Sequence, residues 1–165
     1  MHLNVKNEVS KLQTVVLGIA KDFGGTPEAS ACYDPKSLEN VLKGTYPNES
    51  DLVQEMNNFC EILKRYDVNV LRPQNISGLN QIYARDIAFV IDSKLCIPNL
   101  TEDRAEELLA LQSLIDRFDE DSVIKMPESA RIEGGDVLLT DEYILIGYSE
   151  DEDFEKYKVA RTNKE

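Results

Sequence analysis

The chain has 165 residues, 31 of them acidic and 18 basic, for a formal net charge of −13. A chain of this length can bury roughly two-thirds of the surface it exposes when unfolded, and 42% hydrophobic residues suffice to fill one core, which excludes disorder over the whole length. The acidity excludes the clustered Lys and Arg of a phosphate-neutralising nucleic-acid binder, and no apolar run approaches the ~20 residues that cross a bilayer, so neither nucleic acid nor membrane is expected as a partner. Residues 1–11 hold no apolar h-region, so no signal peptide is expected. Cys32, Cys60 and Cys96 are sparse, odd in number and without metal spacing, as in a reducing cytoplasm. The single histidine is His2, in an end expected to fray, so a Cys–His pair or a His general base is not available within these residues.

Residues 13–20, Q-T-V-V-L-G-I-A, predict a buried strand. Residues 21–48 are rich in Gly and Pro, lack a sustained period and read as a long excursion of the kind that often carries function. Ser50 is the expected N-cap and Asp51 a favourable first-turn acid of an amphipathic helix over 51–66, with Leu52, Val53, Met56, Phe59, Cys60 and Leu63 on one face. A short strand over 68–71 is stopped by Arg72-Pro73. Apolar runs at 87–91 and 95–98 make a hairpin around Asp92-Ser93-Lys94. Thr101 caps the next expected helix, 102–118, whose inner stripe at helical spacing is Ala105, Leu108, Leu109, Gln112, Ile115 and Phe118. A strand over 122–126 ends at Pro127, and a third hairpin joins 137–140 to 143–147 through Asp141-Glu142. Residues 150–158 form a charged, solvated insertion.

Helix followed by short strand occurs twice, and hairpins precede the second helix and open again at Val137. The repeating unit is strand–strand–helix–strand, with a third copy incomplete at residue 165. Repeats of such length mark arrays or closed rings of units.

Three clusters carry polar chemistry. In Tyr83-Ala84-Arg85-Asp86, an aspartate at a strand mouth can grip a planar cation; an Arg85–Asp86 surface pair, worth ~0–1 kcal/mol, is the plain alternative. In Arg131-Ile132-Glu133-Gly134-Gly135-Asp136, two glycines allow close backbone approach between carboxylates that could orient a base or hold a cation; a turn entering a strand is the plain alternative. In Arg161-Thr162-Asn163, the arginine could clamp a carboxylate or belong to a basic tail.

In chain order, N-E-V-S-K-L from Asn7, A-R-D at 84–86, R-I-E-G-G-D-V-L from Arg131 and A-R-T-N at 160–163 together resemble the guanidine-modifying superfamily. Its members include arginine deiminases, dimethylarginine dimethylaminohydrolases and glycine amidinotransferases. The resemblance runs from about Asn7 to the end, and E-G-G-D and R-D are its most specific parts. It implies an α/β fold of pentein type, a five-bladed α/β propeller of ββαβ modules, here an incomplete ring of about two and a half modules. Residues 1–165 would be the N-terminal part of a single such domain. Glu133 matches the acid that partners the catalytic histidine, and Asp86 the carboxylate that binds the substrate guanidinium. Arg161 matches the arginine that holds the substrate α-carboxylate, although the insertion 150–158 stretches its distance from Glu133. Arg85, Gly134, Gly135 and Asp136 match the supporting positions. Ile87 stands where proline usually follows R-D.

The resemblance places the family's histidine and nucleophilic cysteine in later modules. Cys32, Cys60 and Cys96 do not occupy the nucleophile's place, and Cys60 and Cys96 read as core. The implied function is that of the N-terminal part of an amidinotransferase or C–N hydrolase acting on arginine-like guanidino compounds, without metal or organic cofactor, in the cytoplasm. Lacking the nucleophile, this stretch alone is expected to be inactive. Its uncovered module flanks imply self-association or union with C-terminal modules. The alternatives are a catalytically inactive relative that binds a cationic ligand or a protein partner, and an α/β interaction module with vestigial motifs.

Overall fold

A computed structural model describes residues 2–149 and 162–164. The expected insertion at 150–158 and Arg161 lie outside the described residues.

β1 (Thr14–Val16) and β2 (Asn69–Leu71) pair in parallel, Val15 opposite Val70. A parallel pair requires a long crossover, and this one carries two helices. The first, α1 (Pro35–Lys43), falls in the stretch read as an excursion. Its signals are all present: the Asp34 side chain accepts from the Ser37 amide, Pro35 opens the helix, and Gly44 closes it in the left-handed conformation. The second, α2 (Glu49–Arg65), is the expected amphipathic helix, but its cap is Asn48, whose side chain accepts from the Asp51 amide. Ser50 lies inside the first turn and donates its hydroxyl to that same Asn48 side chain. Cys60 is buried as expected, whereas Phe59 faces solvent.

The next unit is complete. β3 (Phe89–Ile91) is antiparallel to β4 (Lys94–Ile97), and β4 is parallel to β5 (Val123–Lys125). This is the predicted strand–strand–helix–strand order, and the crossover is helical. It is not the regular α-helix expected over 102–118. Residues Glu102–Leu111 form a 3-10 helix, continued by one α-helical turn, Gln112–Ile115. A 3-10 helix has three residues per turn, so residues i and i+3 eclipse. Accordingly Thr101, Arg104, Glu107 and Ala110 are buried, while Ala105, Leu109 and Gln112 of the predicted inner stripe are exposed.

β6 (Val137–Leu139) and β7 (Ile144–Ile146) form an antiparallel hairpin. Among the described residues the strands make three separate sheets, and none closes on itself. The N-terminal segment is tied down rather than frayed: Val5 and Asp92 exchange backbone hydrogen bonds, and the Glu8 amide donates to the Leu139 carbonyl.

Two apolar clusters hold these pieces together. Phe89, Cys96, Ile132, Val137 and Leu139 join the β3–β4 sheet to β6. Ile87, Leu111 and Leu114 join the crossover to β1 and β2 through Val16 and Leu71. Burial pushes the Cys96 thiol above its ordinary value. No helix of the described residues is long and apolar enough to cross a membrane.

Candidate functional site

Asp86 sits on α3 (Ala84–Ile87), a single helical turn before β3. Ala84 and Ile87 point into the core, which turns Arg85 and Asp86 the other way. The loop 132–136 packs directly on this turn. A Cβ at Gly134 would lie 2.1 Å from the Arg85 carbonyl oxygen, and one at Gly135 would lie 2.5 Å from Asp86 Oδ1. The two glycines therefore let the R-D and E-G-G-D segments touch.

Arg85 does not pair with its neighbour Asp86. Its Nε donates to the Gly134 carbonyl at 3.0 Å, and Nη2 donates to the Val137 carbonyl at 2.7 Å. The same guanidinium meets both Glu8 carboxylate oxygens, at 2.8 and 3.2 Å. Glu8 Oε1 also accepts from the Leu139 amide. Arg85 thereby holds the Glu8 carboxyl below its ordinary value of 4.5, against the opposing effect of partial burial. A carboxyl lowered on folding stabilises the protein fully above its unfolded value and loses that contribution as pH falls through the folded one. Glu8→Gln should therefore flatten the loss of stability between about pH 5 and 3, read by denaturant unfolding at each pH. An acid limb as steep as that of the wild type would show that Glu8 carries no such linkage.

At the centre lies Arg104, with a side chain 3% exposed. Its Nη1 donates to Asp86 Oδ2 and to Glu133 Oε1, at 2.9 Å each. Its Nε and Nη2 form a bidentate fork on Glu107, at 2.9 and 2.7 Å. Burial opposes the charge on Arg104, but hydrogen bonds and attraction from Glu107, Glu133 and Asp86 outweigh it and hold the guanidinium protonated beyond its ordinary range. Three carboxylates thus crowd one guanidinium. Glu107 bears part of that cost: burial raises its pKa, Arg104 opposes the rise, and Glu133 and Asp86 add to it.

The end of the described chain is stitched to the same loop. The Glu133 amide donates to the buried Thr162 hydroxyl at 3.1 Å, and that hydroxyl donates to Asp136. Asn163 donates its amide to the Arg131 carbonyl and accepts from the Arg131 amide, at 3.0 Å each.

The structure thus brings Asp86, Glu133, Gly134 and Gly135 to one place, with Arg85 and Asp136 bracing the loop between them. Arg104 and Glu107 were not singled out by the sequence, and Glu8 and Thr162 lie in quoted motifs that gave them no role of their own. The signal for Arg104 and Glu107 is the three-residue spacing from Thr101, which a helical period of 3.6 turns toward solvent. Among the described residues no group of three or more His, Cys, Asp or Glu side chains is placed to hold a metal ion. A cleft of 340 Å³ between the end of β1 and α2, lined by Ile19, Val53, Met56, Arg72 and Pro73 among others, includes none of these acids.

No protein-family model and no curated protein matches the sequence. Solved structures do match. The dimethylarginine dimethylaminohydrolase of Pseudomonas aeruginosa, complexed with citrulline, is similar with a TM-score of 0.67 at 17% identity, over 93% of this chain and 52% of that one. An amidinotransferase of saxitoxin biosynthesis from Microseira wollei gives 0.64 at 17%, over 84% of this chain and 52% of that one. The fold is that of the guanidine-modifying enzymes. Inosamine-phosphate amidinotransferase of Streptomyces griseus shares it, with a TM-score of 0.61 at 16% identity, over 85% of this chain and 53% of that one. The chain spans about half the length of these three proteins. The described residues hold one whole strand–strand–helix–strand unit, preceded by the parallel pair β1–β2 and followed by the hairpin β6–β7.

Proposed function

We propose that this chain is the N-terminal part of a guanidine-modifying enzyme, an amidinotransferase or a C–N hydrolase, that acts on an arginine-like compound. The observation that carries this reading is the convergence of Asp86 and Glu133, from separate segments, on a single guanidinium. Planar, charge-assisted grips of this kind suit guanidinium recognition. A further solved neighbour, with a TM-score of 0.65, is a complex with L-arginine.

In this reading Asp86 binds the substrate guanidinium through Oδ1, to which no hydrogen bond is made among the described residues. Glu133 orients a histidine, and Arg161 holds the substrate carboxylate. A cysteine thiolate attacks the guanidinium carbon, and the histidine protonates the departing amine. Water or an acceptor amine, deprotonated by the same histidine, then displaces the sulfur and regenerates the thiolate. Cysteine and histidine both come from outside these 165 residues, and no metal or organic cofactor takes part. The exposed β7 is assigned to contact with the rest of the domain or with a second copy of the chain. An inactive, ligand-binding relative is the second reading, favoured by the fact that Arg104 already takes an inner oxygen from each acid.

L-Arginine titrated into the chain should bind, and Asp86→Asn should abolish binding, measured by calorimetry. The chain alone should form neither citrulline nor ornithine from L-arginine. Undiminished affinity in Asp86→Asn, or turnover surviving repurification, would remove the assignment.

A further inference from the structure

Arg104 occupies the point where the two site acids converge, which allows two roles. It can be an internal stand-in that a substrate guanidinium displaces, or the fixed part on which the acids are mounted. The geometry favours the second. The guanidinium is anchored first by its own helix, through the fork on Glu107 one 3-10 turn away, and both side chains are buried. Four of its five N–H groups are spent on carboxylates. One nitrogen, Nη1, touches both Asp86 and Glu133, so the spacing of those acids is what a single nitrogen can span. Asp86 alone among the three acids is appreciably open, at 21% exposure, and its second oxygen lies against Gly135, where only a glycine leaves room.

We propose that Arg104 is a positioning residue: held by Glu107, it sets the separation of Asp86 and Glu133 and, by engaging Asp86 through Oδ2, leaves Oδ1 to receive a cationic ligand. The geometry stands by itself; the ligand's being a guanidino compound rests on the function proposed above. The ligand then adds a second cation and does not replace the first.

Arginine side-chain NMR on the full chain, free and saturated with L-arginine, tests this. Pinned on three carboxylates, the Arg104 guanidinium should show separate, slowly exchanging Nη hydrogens that vanish in Arg104→Lys. These signals should shift yet persist at saturation. Arg104→Lys keeps the charge but loses the fork, so L-arginine affinity should fall about tenfold or more. Glu107→Gln, which leaves Arg104 and both site acids in place, should weaken binding less and broaden the Arg104 signals. An averaged, rapidly exchanging Arg104 signal in the free protein would overturn the proposal. So would loss of the separate signals at saturation, since Arg104 would then be the displaced stand-in. If L-arginine fails to bind, the substrate reading falls, while the signals of the free protein still decide whether Arg104 is fixed.

Discussion

Arg104→Met should cost on the order of 3–5 kcal/mol of stability at neutral pH, enough to unfold many domains. Methionine is long enough to fill the space along the Arg104 stem, so packing alone would lose little. The loss is electrostatic: Glu107 and Glu133 are left buried without the cation that each of them touches. The sign of the pH dependence separates this from simple misfit. Burial raises the Glu107 carboxyl above 4.5 even with Arg104 present. A carboxyl raised on folding contributes most to stability when protonated, and that contribution is lost as pH rises from its unfolded value through the folded one. Without Arg104 this effect grows, so the deficit relative to wild type should shrink as the solution is acidified and widen toward neutrality. Denaturant unfolding at several pH values measures it. A deficit under about 1 kcal/mol at neutral pH, or one independent of pH, would mean that the buried cluster is not held by charge.

Gly134→Ala should be nearly as damaging, on the order of 3 kcal/mol, and should abolish L-arginine binding in whatever fraction remains folded. The added methyl would sit 2.1 Å from the Arg85 carbonyl oxygen and 3.0 Å from Phe89 Cβ. The first is backbone and the second is the root of a core side chain, so neither can rotate away. The loop must lift from α3, which separates Glu133 from Asp86 and strips Arg85 of its bond to the Gly134 carbonyl. Gly44→Ala is the matching control: its Cβ meets open space, and only its left-handed φ of 65° is strained, for about 1 kcal/mol. Equal melting temperatures for the Gly134→Ala and Gly44→Ala variants would refute the close-packing argument.

The strands were legible because their apolar, β-branched runs are bounded by turn residues. Every predicted run overlaps an observed strand, although the ladders are only three or four residues long and β4 begins one residue early, at Lys94. α2 was legible from its apolar stripe, and its cap was misplaced by two residues because Asn48 and Ser50 are both good cap residues. α1 was missed because its apolar stripe, Leu38, Val41 and Leu42, is only three residues long and none of it is fully buried, so its cap signals read as those of a loop. The segment 102–111 was misread for a different reason. Its period is three, and the residues it buries include Arg104 and Glu107, which amphipathic reasoning sends to solvent. The two acid motifs of the site could thus be read from sequence. The guanidinium that gathers them could not, because a buried arginine is favourable only in the presence of acids contributed by distant segments.

The hairpin of β6 and β7 is unevenly supported. β6 buries Val137 and Leu139, whose carbonyls accept from Arg85 and from the Glu8 amide, whereas Ile144, Leu145 and Ile146 of β7 are all exposed. An isolated two-stranded hairpin is marginal in water, so β7 should have the small opening free energy of a peripheral unit, while β3–β5 exchange their amides only on global unfolding. By mass action, any chain that adds to β7 in the folded state alone raises the free energy of unfolding with its own concentration. Wherever such a chain adds, the melting point becomes a function of composition in the tube, with β7 as the element through which concentration acts.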